Sequence, residues 1–77
     1  MDNRINKLLT ELFRMQSGEI TDNLSMKDTD VWDSLKHMEL IVSIEQEFKI
    51  ELSFDEIVAM QNVGEIKRIV YDKVSNQ

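Results

Sequence analysis

Residues 32–51 read Trp32-Asp33-Ser34-Leu35-Lys36-His37-Met38-Glu39-Leu40-Ile41-Val42-Ser43-Ile44-Glu45-Gln46-Glu47-Phe48-Lys49-Ile50-Glu51. The spacing predicts a helix over about 34–49, opened by Asp33 or Ser34 as a cap. At about 100° per residue, Leu40, Ile41, Ile44 and Phe48 fall within roughly 100° of one another, the width of a core-facing stripe. Leu35, Met38 and Val42 gather on the opposite side. Glu45 flanks this second stripe on one edge, and Glu39 and Gln46 flank the other. A helix in a small domain has one core to face. The second stripe is therefore read as exposed, an apolar strip rimmed by carboxylates that suits a partner with a greasy groove and basic edges. His37 lies on the core side and is read as a core-edge histidine with a hydrogen-bonded ring.

The helical period extends outward in both directions. Residues 3–16 carry Ile5, Leu8, Leu9, Leu12 and Phe13 on one face, and Ser17-Gly18 is the expected stop. Residues 17–32 set isolated apolar anchors (Ile20, Leu24, Met26, Val31, Trp32) among polar residues, the pattern of a long ordered loop. Ser53 and Glu56 have capping-box spacing for a short helix over 53–60. Asn62 and Glu65 open another over 63–74, whose apolar face is Val63, Ile66, Ile69, Val70 and Val74. The fold class is all-α: a four-helix bundle with a long first loop and a short third helix, one domain over residues 1–77.

Composition narrows the function. A chain of 77 residues buries only about 60% of its unfolded surface and has little room for a deep catalytic cleft. The net charge of −6 opposes nucleic-acid binding, which depends on neutralising phosphates, and opposes an anionic membrane surface. Residues 1–18 and 63–77 each carry net +1, so residues 19–62 hold −8. A partner docking on that middle region should be basic, with the attraction speeding encounter. The absence of cysteine removes disulfides, thiolate metal sites and thiol nucleophiles, and one histidine leaves little acid–base chemistry. No apolar run approaches a membrane span, and Met1-Asp2-Asn3-Arg4 has no apolar h-region. A cytoplasmic monomer that is not an enzyme is expected. A calcium loop beginning Asp28, Asp30 and ending at Glu39 fails, because Trp32 and Asp33 stand where an oxygen ligand and a glycine are needed. No other metal site is expected.

Asp33-Ser34-Leu35, the helix continuing through Met38-Glu39-Leu40-Ile41, its end at Glu45-Gln46-Glu47-Phe48 and the four-helix pattern together resemble the acyl carrier protein family. The resemblance covers essentially the whole chain. It implies that Ser34 carries 4′-phosphopantetheine through a phosphodiester, installed from coenzyme A by a phosphopantetheinyl transferase, and that Asp33 contacts the transferase or its metal. It implies further that an acyl- or aminoacyl-loading ligase charges the thiol, and that biosynthetic enzymes with basic patches meet Leu35, Met38, Glu39, Val42 and Glu45. Some of the carried chain would find shelter between the second and third helices, with His37 near the mouth. A phosphate on a serine at a helix N-terminus meets unpaired backbone N–H groups and the positive end of the dipole. Trp32 in place of the usual glycine, Lys36 and His37 after the motif, Gln46, and Leu52-Ser53 differ from the fatty-acid-synthesis type and point to a specialised standalone carrier. The alternative is a cofactor-free acidic helical interaction module.

Overall fold

The computed structural model describes residues 2–76. Its elements are α1 (Asp2–Phe13), a 3-10 turn at Ser17–Glu19, α2 (Ser34–Phe48), α3 (Phe54–Ala59) and α4 (Val63–Ser75). Among the described residues there is no β-strand beyond one isolated antiparallel bridge, Ser25 to Asn62.

The three longer helices each turn an apolar face inward. Ile5, Leu9 and Phe13 of α1 meet Leu40, Ile41, Ile44 and Phe48 of α2 and Val63, Ile66, Ile69 and Val70 of α4 in one buried cluster. Burying each such side chain is worth about 1.5–3 kcal/mol relative to exposure. The three later helices open on caps of the expected kind. Lys36 N donates to Asp33 Oδ1 at 2.8 Å, so the cap of α2 is Asp33. Ser53 and Glu56 close a reciprocal capping box on α3. Asn62 Oδ1 accepts from Glu65 N at 2.8 Å to start α4, while the Glu65 carboxylate turns to Arg68.

The end of α1 corrects the sequence reading. The helix stops at Phe13, and the left-handed residue that closes it is Arg14, at φ 57°, where glycine was expected to serve. Met15 N then reaches back to Thr10 O at 3.2 Å, a Schellman-type closure. Gly18 has no positive φ and plays no such role. Lys49, at φ 56°, ends α2 in the same way, with Ile50 N on Glu45 O and the Ile50 side chain buried.

The long first connection is pinned by side chains and by backbone. Ile20 and Trp32 are buried, and Leu24 and Met26 pack against the core; Val31, expected as an anchor, is instead exposed. Val63 N donates to Leu24 O and Gly64 N to Asp22 O, both at 3.0 Å, which ties the loop to the start of α4. A Cβ at Gly64 would stand 3.3 Å from Asp22 O, a tight contact that a side chain there could keep only if Asp22 gave way by a few tenths of an ångström. At the other side of the molecule, the guanidinium of Arg4 grips both the side chain (2.8 Å) and the backbone carbonyl (2.9 Å) of Glu47. It also lies 4.6 Å from the centroid of Phe48, which fastens α1 to the end of α2.

Candidate functional site

Ser34 is the first residue of α2 and is exposed. Serine in this setting most often serves as the cap. Here Asp33 fills that role, so the Ser34 hydroxyl is not the group that satisfies the first turn. A fifteen-residue helix directs its unpaired N–H groups and the positive end of its dipole toward this position. An exposed hydroxyl at such an end fits a phosphodiester well.

Below Ser34 the first turn of α2 is anchored from inside. The side chain of His37 is buried and hydrogen-bonded on both ring nitrogens. Nδ1 accepts from Trp32 Nε1–H at 3.0 Å, and Nε2 lies 2.9 Å from Ile57 O. Indole N–H can only donate and a carbonyl can only accept. The hydrogen therefore sits on Nε2, which donates to Ile57. Trp32 is 1% exposed and packs its ring on Phe13, with centroids 5.2 Å apart. One relay thus joins α1, the long loop, α2 and α3. The sequence indicated the hydrogen-bonded character of His37, but its two partners could not be read from spacing.

On the opposite side of α2, Leu35 is 71% exposed, Met38 50% and Val42 49%. With Leu12 of α1, Glu39 and Ser43 they line an open groove of about 450 Å³. The two carboxylates named beside this stripe differ. Glu39 is exposed and pairs with Lys36 Nζ at 3.2 Å. Glu45 is half-buried and its Oε2 accepts from Leu52 N at 2.9 Å, so it braces the turn from α2 into α3. Sequence reasoning assigned no role to Phe54 and Val58, yet both are exposed, Phe54 at 78%, and they share one face of α3 at i, i+4 spacing. The signal was a capping box followed by apolar residues on more sides than a six-residue helix can bury.

The chain matches the phosphopantetheine attachment site family over residues 3–70. The chain belongs to the acyl carrier protein family. The acyl carrier proteins of two Caulobacter vibrioides strains are each 29% identical over 72 residues, spanning 94% of this chain and 92% of theirs. The solution structure of the holo acyl carrier protein from Geobacter metallireducens superposes with a TM-score of 0.86 at 33% identity, over 97% of this chain and 86% of that one. A solved structure from Mycobacterium tuberculosis superposes with a TM-score of 0.78 at 32% identity, over 97% and 95% of the two chains. The chain is thus a non-catalytic carrier whose prosthetic group is 4′-phosphopantetheine. When bound, that group supplies a terminal thiol on which acyl units are held as thioesters. Among the described residues, no helix is long and apolar enough to cross a membrane.

Proposed function

We propose that Ser34 is the attachment residue, and that this single domain of residues 1–77 presents tethered acyl or aminoacyl units to cytoplasmic biosynthetic enzymes. The observation that carries the reading is the division of labour at the start of α2, where Asp33 caps the helix and leaves an exposed serine hydroxyl beside it. In the loading step the pantetheine phosphate passes from coenzyme A to Ser34 Oγ. One P–O bond of the pyrophosphate breaks, adenosine 3′,5′-bisphosphate leaves, and the serine proton is lost to a base of the phosphopantetheinyl transferase. Asp33 is the residue nearest in sequence that can meet the transferase or its metal.

A loading ligase and the downstream enzymes would meet the exposed stripe of Leu35, Met38 and Val42, guided by the acidic middle of the chain. Glu39 is the rim charge best placed to respond to a basic partner, and Glu45 contributes to the same field while bracing its loop. Such contacts should be weak and transient, as small polar-rimmed interfaces are. Trp32, Lys36 and His37 around the motif favour a dedicated carrier in polyketide, nonribosomal-peptide or modified-sugar or lipid synthesis.

The test is an intact mass after incubation with coenzyme A and a broad-specificity transferase, with Ser34→Ala in parallel. One phosphopantetheine should appear on the unaltered protein and none on the variant. Equal gain on both would move the attachment point elsewhere. No gain on either would leave a transferase that does not recognise Lys36 and His37, or a cofactor-free docking module.

A further inference from the structure

The reading of Ser34 as a carrier site leaves open what is carried, and the packing of α3 bears on that question. For a tethered chain to enter the bundle between α2 and α3, α3 must move. It is a six-residue helix with no fully buried side chain, so its position depends on what ties it down. Three polar ties hold it, each from a different direction. His37 Nε2–H donates to the carbonyl of Ile57 in the last turn of α3. Glu45 Oε2 holds the backbone N–H of Leu52 on the entry to α3. Lys73 Nζ, from α4, pairs with Glu56 at 3.0 Å. The first tie is the innermost. It is backed by the Trp32 indole, whose N–H fixes the histidine tautomer and whose ring fills the space beside it against Phe13.

An alkyl chain sliding inward would meet this relay before it met the aliphatic core. It would have to break the part-buried His37–Ile57 hydrogen bond, which the buried Trp32–His37 bond holds in place, and could offer no polar atom in return. Buried donors and acceptors left without partners are what cores avoid most consistently. A short acyl unit has too little apolar surface to offset that loss, and a polar aminoacyl or hydroxyacyl unit has no reason to enter.

We propose that the Trp32–His37–Ile57 relay bolts the gap between α2 and α3, so that this carrier keeps its tethered group outside the bundle and serves a short or polar acyl or aminoacyl unit in place of a long alkyl chain. The proposal rests on attachment at Ser34 and reverses the sheltered chain that the family resemblance implied.

The experiment loads the protein from acetyl-coenzyme A and from octanoyl-coenzyme A with a broad-specificity transferase, and verifies each product by intact mass. Nitrogen–proton correlation spectra then follow the Trp32 indole and the amides of Ile41, Ile57 and Met60. The through-hydrogen-bond coupling between Trp32 Nε1 and His37 Nδ1 reports the relay directly. The expected result is that these resonances coincide in the acetyl and octanoyl forms, that the coupling persists in both, and that shifts are confined to residues adjoining Ser34. Displacement of the core amides in the octanoyl form alone, or loss of the coupling there, overturns the proposal while leaving the carrier reading intact. Absence of any mass gain removes the reading of Ser34 as the attachment residue and the proposal with it.

Discussion

The indole N–H of Trp32 and Nδ1 of His37 lie 3.0 Å apart, five residues from each other in sequence and both shielded from solvent. This bond turns a loop residue into a support for the helix that begins two positions later. Replacing Trp32 by Phe keeps an aromatic ring but leaves His37 Nδ1 as a buried acceptor without a donor, and opens a small void against Phe13. The unsatisfied acceptor alone is worth about 1–3 kcal/mol, and about 1 kcal/mol shifts the midpoint of a domain this size by roughly 4–8 °C. Thermal unfolding of Trp32→Phe, His37→Leu and the double variant gives the coupling. We expect the sum of the two single losses to exceed the loss in the double variant by more than about 0.5 kcal/mol. Strict additivity would mean that the bond contributes nothing.

Asp33 is assigned two tasks, capping α2 and meeting the transferase, and substitution separates them. Asp33→Ala removes the acceptor of Lys36 N and should lower stability by about 1 kcal/mol. Asp33→Asn keeps an oxygen in place and should stay within a few tenths of the unaltered protein, because the two residues cap about equally well. If the asparagine variant is loaded much more slowly while melting normally, the charge acts on the transferase. Normal loading of Asp33→Asn would confine the residue to its cap.

Arg14 closes α1 in the left-handed region at φ 57°, where a side chain with a Cβ is strained by roughly 1–2 kcal/mol. Glycine removes that strain but gains freedom in the unfolded chain, a loss of about 0.4–1 kcal/mol. Arg14→Gly should therefore leave stability unchanged or raise it by up to about 1.6 kcal/mol. Its side chain is exposed, so little packing is lost with it. A clear fall in melting temperature would show that the arginine side chain supports the closure in some other way.

The same residue explains why the end of α1 was misplaced. A nearby glycine is the stronger local signal for a helix stop, and nothing in the pattern of 3–16 marks Arg14 as the residue that takes the strain. Local signals succeeded wherever the cause was local: the Ser53–Glu56 box, the Asn62 cap and the two stripes of α2 all follow from spacing within a turn or two. They failed where the cause was distant. Val31 and Trp32 are adjacent apolar residues, yet only Trp32 finds Phe13 and His37 to pack against. Glu45 reads as a rim carboxylate on the helical wheel. Its bond to Leu52 N depends on the sharp left-handed turn at Lys49 that brings the chain back. The exposed serine at the start of α2 was legible because the motif and the helix start coincide; the closure of α3 depends on contacts spanning twenty residues and was not.

Glu56 provides a pH dependence with a definite sign. Its carboxyl is held below the ordinary glutamate value, chiefly because it accepts from the Ser53 backbone N–H; burial opposes this, and hydrogen bonds from Lys73 and the Ser53 hydroxyl add to the lowering. A carboxyl whose folded value is depressed adds stability that is complete above its unfolded value and is lost as pH falls through the folded one. Glu56→Gln retains an oxygen for Ser53 N but cannot ionise. The unaltered protein should exceed it in stability by about 1 kcal/mol or less at neutral pH, since the pair with Lys73 is partly exposed. The gap should close as pH drops through the ordinary glutamate range and below it. A gap that stays constant from neutral pH to well below that range would assign the difference to packing.

Glu39 and Glu45 flank the same exposed stripe but should respond differently to substitution. Glu39 is exposed, and its pair with Lys36 is a surface one, so Glu39→Lys should change stability by less than about 0.5 kcal/mol. Its effect belongs to encounter with basic partners. Loading should slow several-fold at low salt, and the deficit should shrink as ionic strength rises and the Debye length falls below about 10 Å. Glu45 holds Leu52 N, so Glu45→Ala should cost about 1 kcal/mol, while Glu45→Gln retains an acceptor and should recover most of it. Stopped-flow loading rates across a salt series, beside melting curves for all three variants, separate the two residues. Equal salt-dependent slowing in Glu39→Lys and Glu45→Gln, with neither variant destabilised, would make both carboxylates members of the docking rim. A rate for Glu39→Lys that matches the unaltered protein at every salt concentration would place the docking surface away from this face of α2.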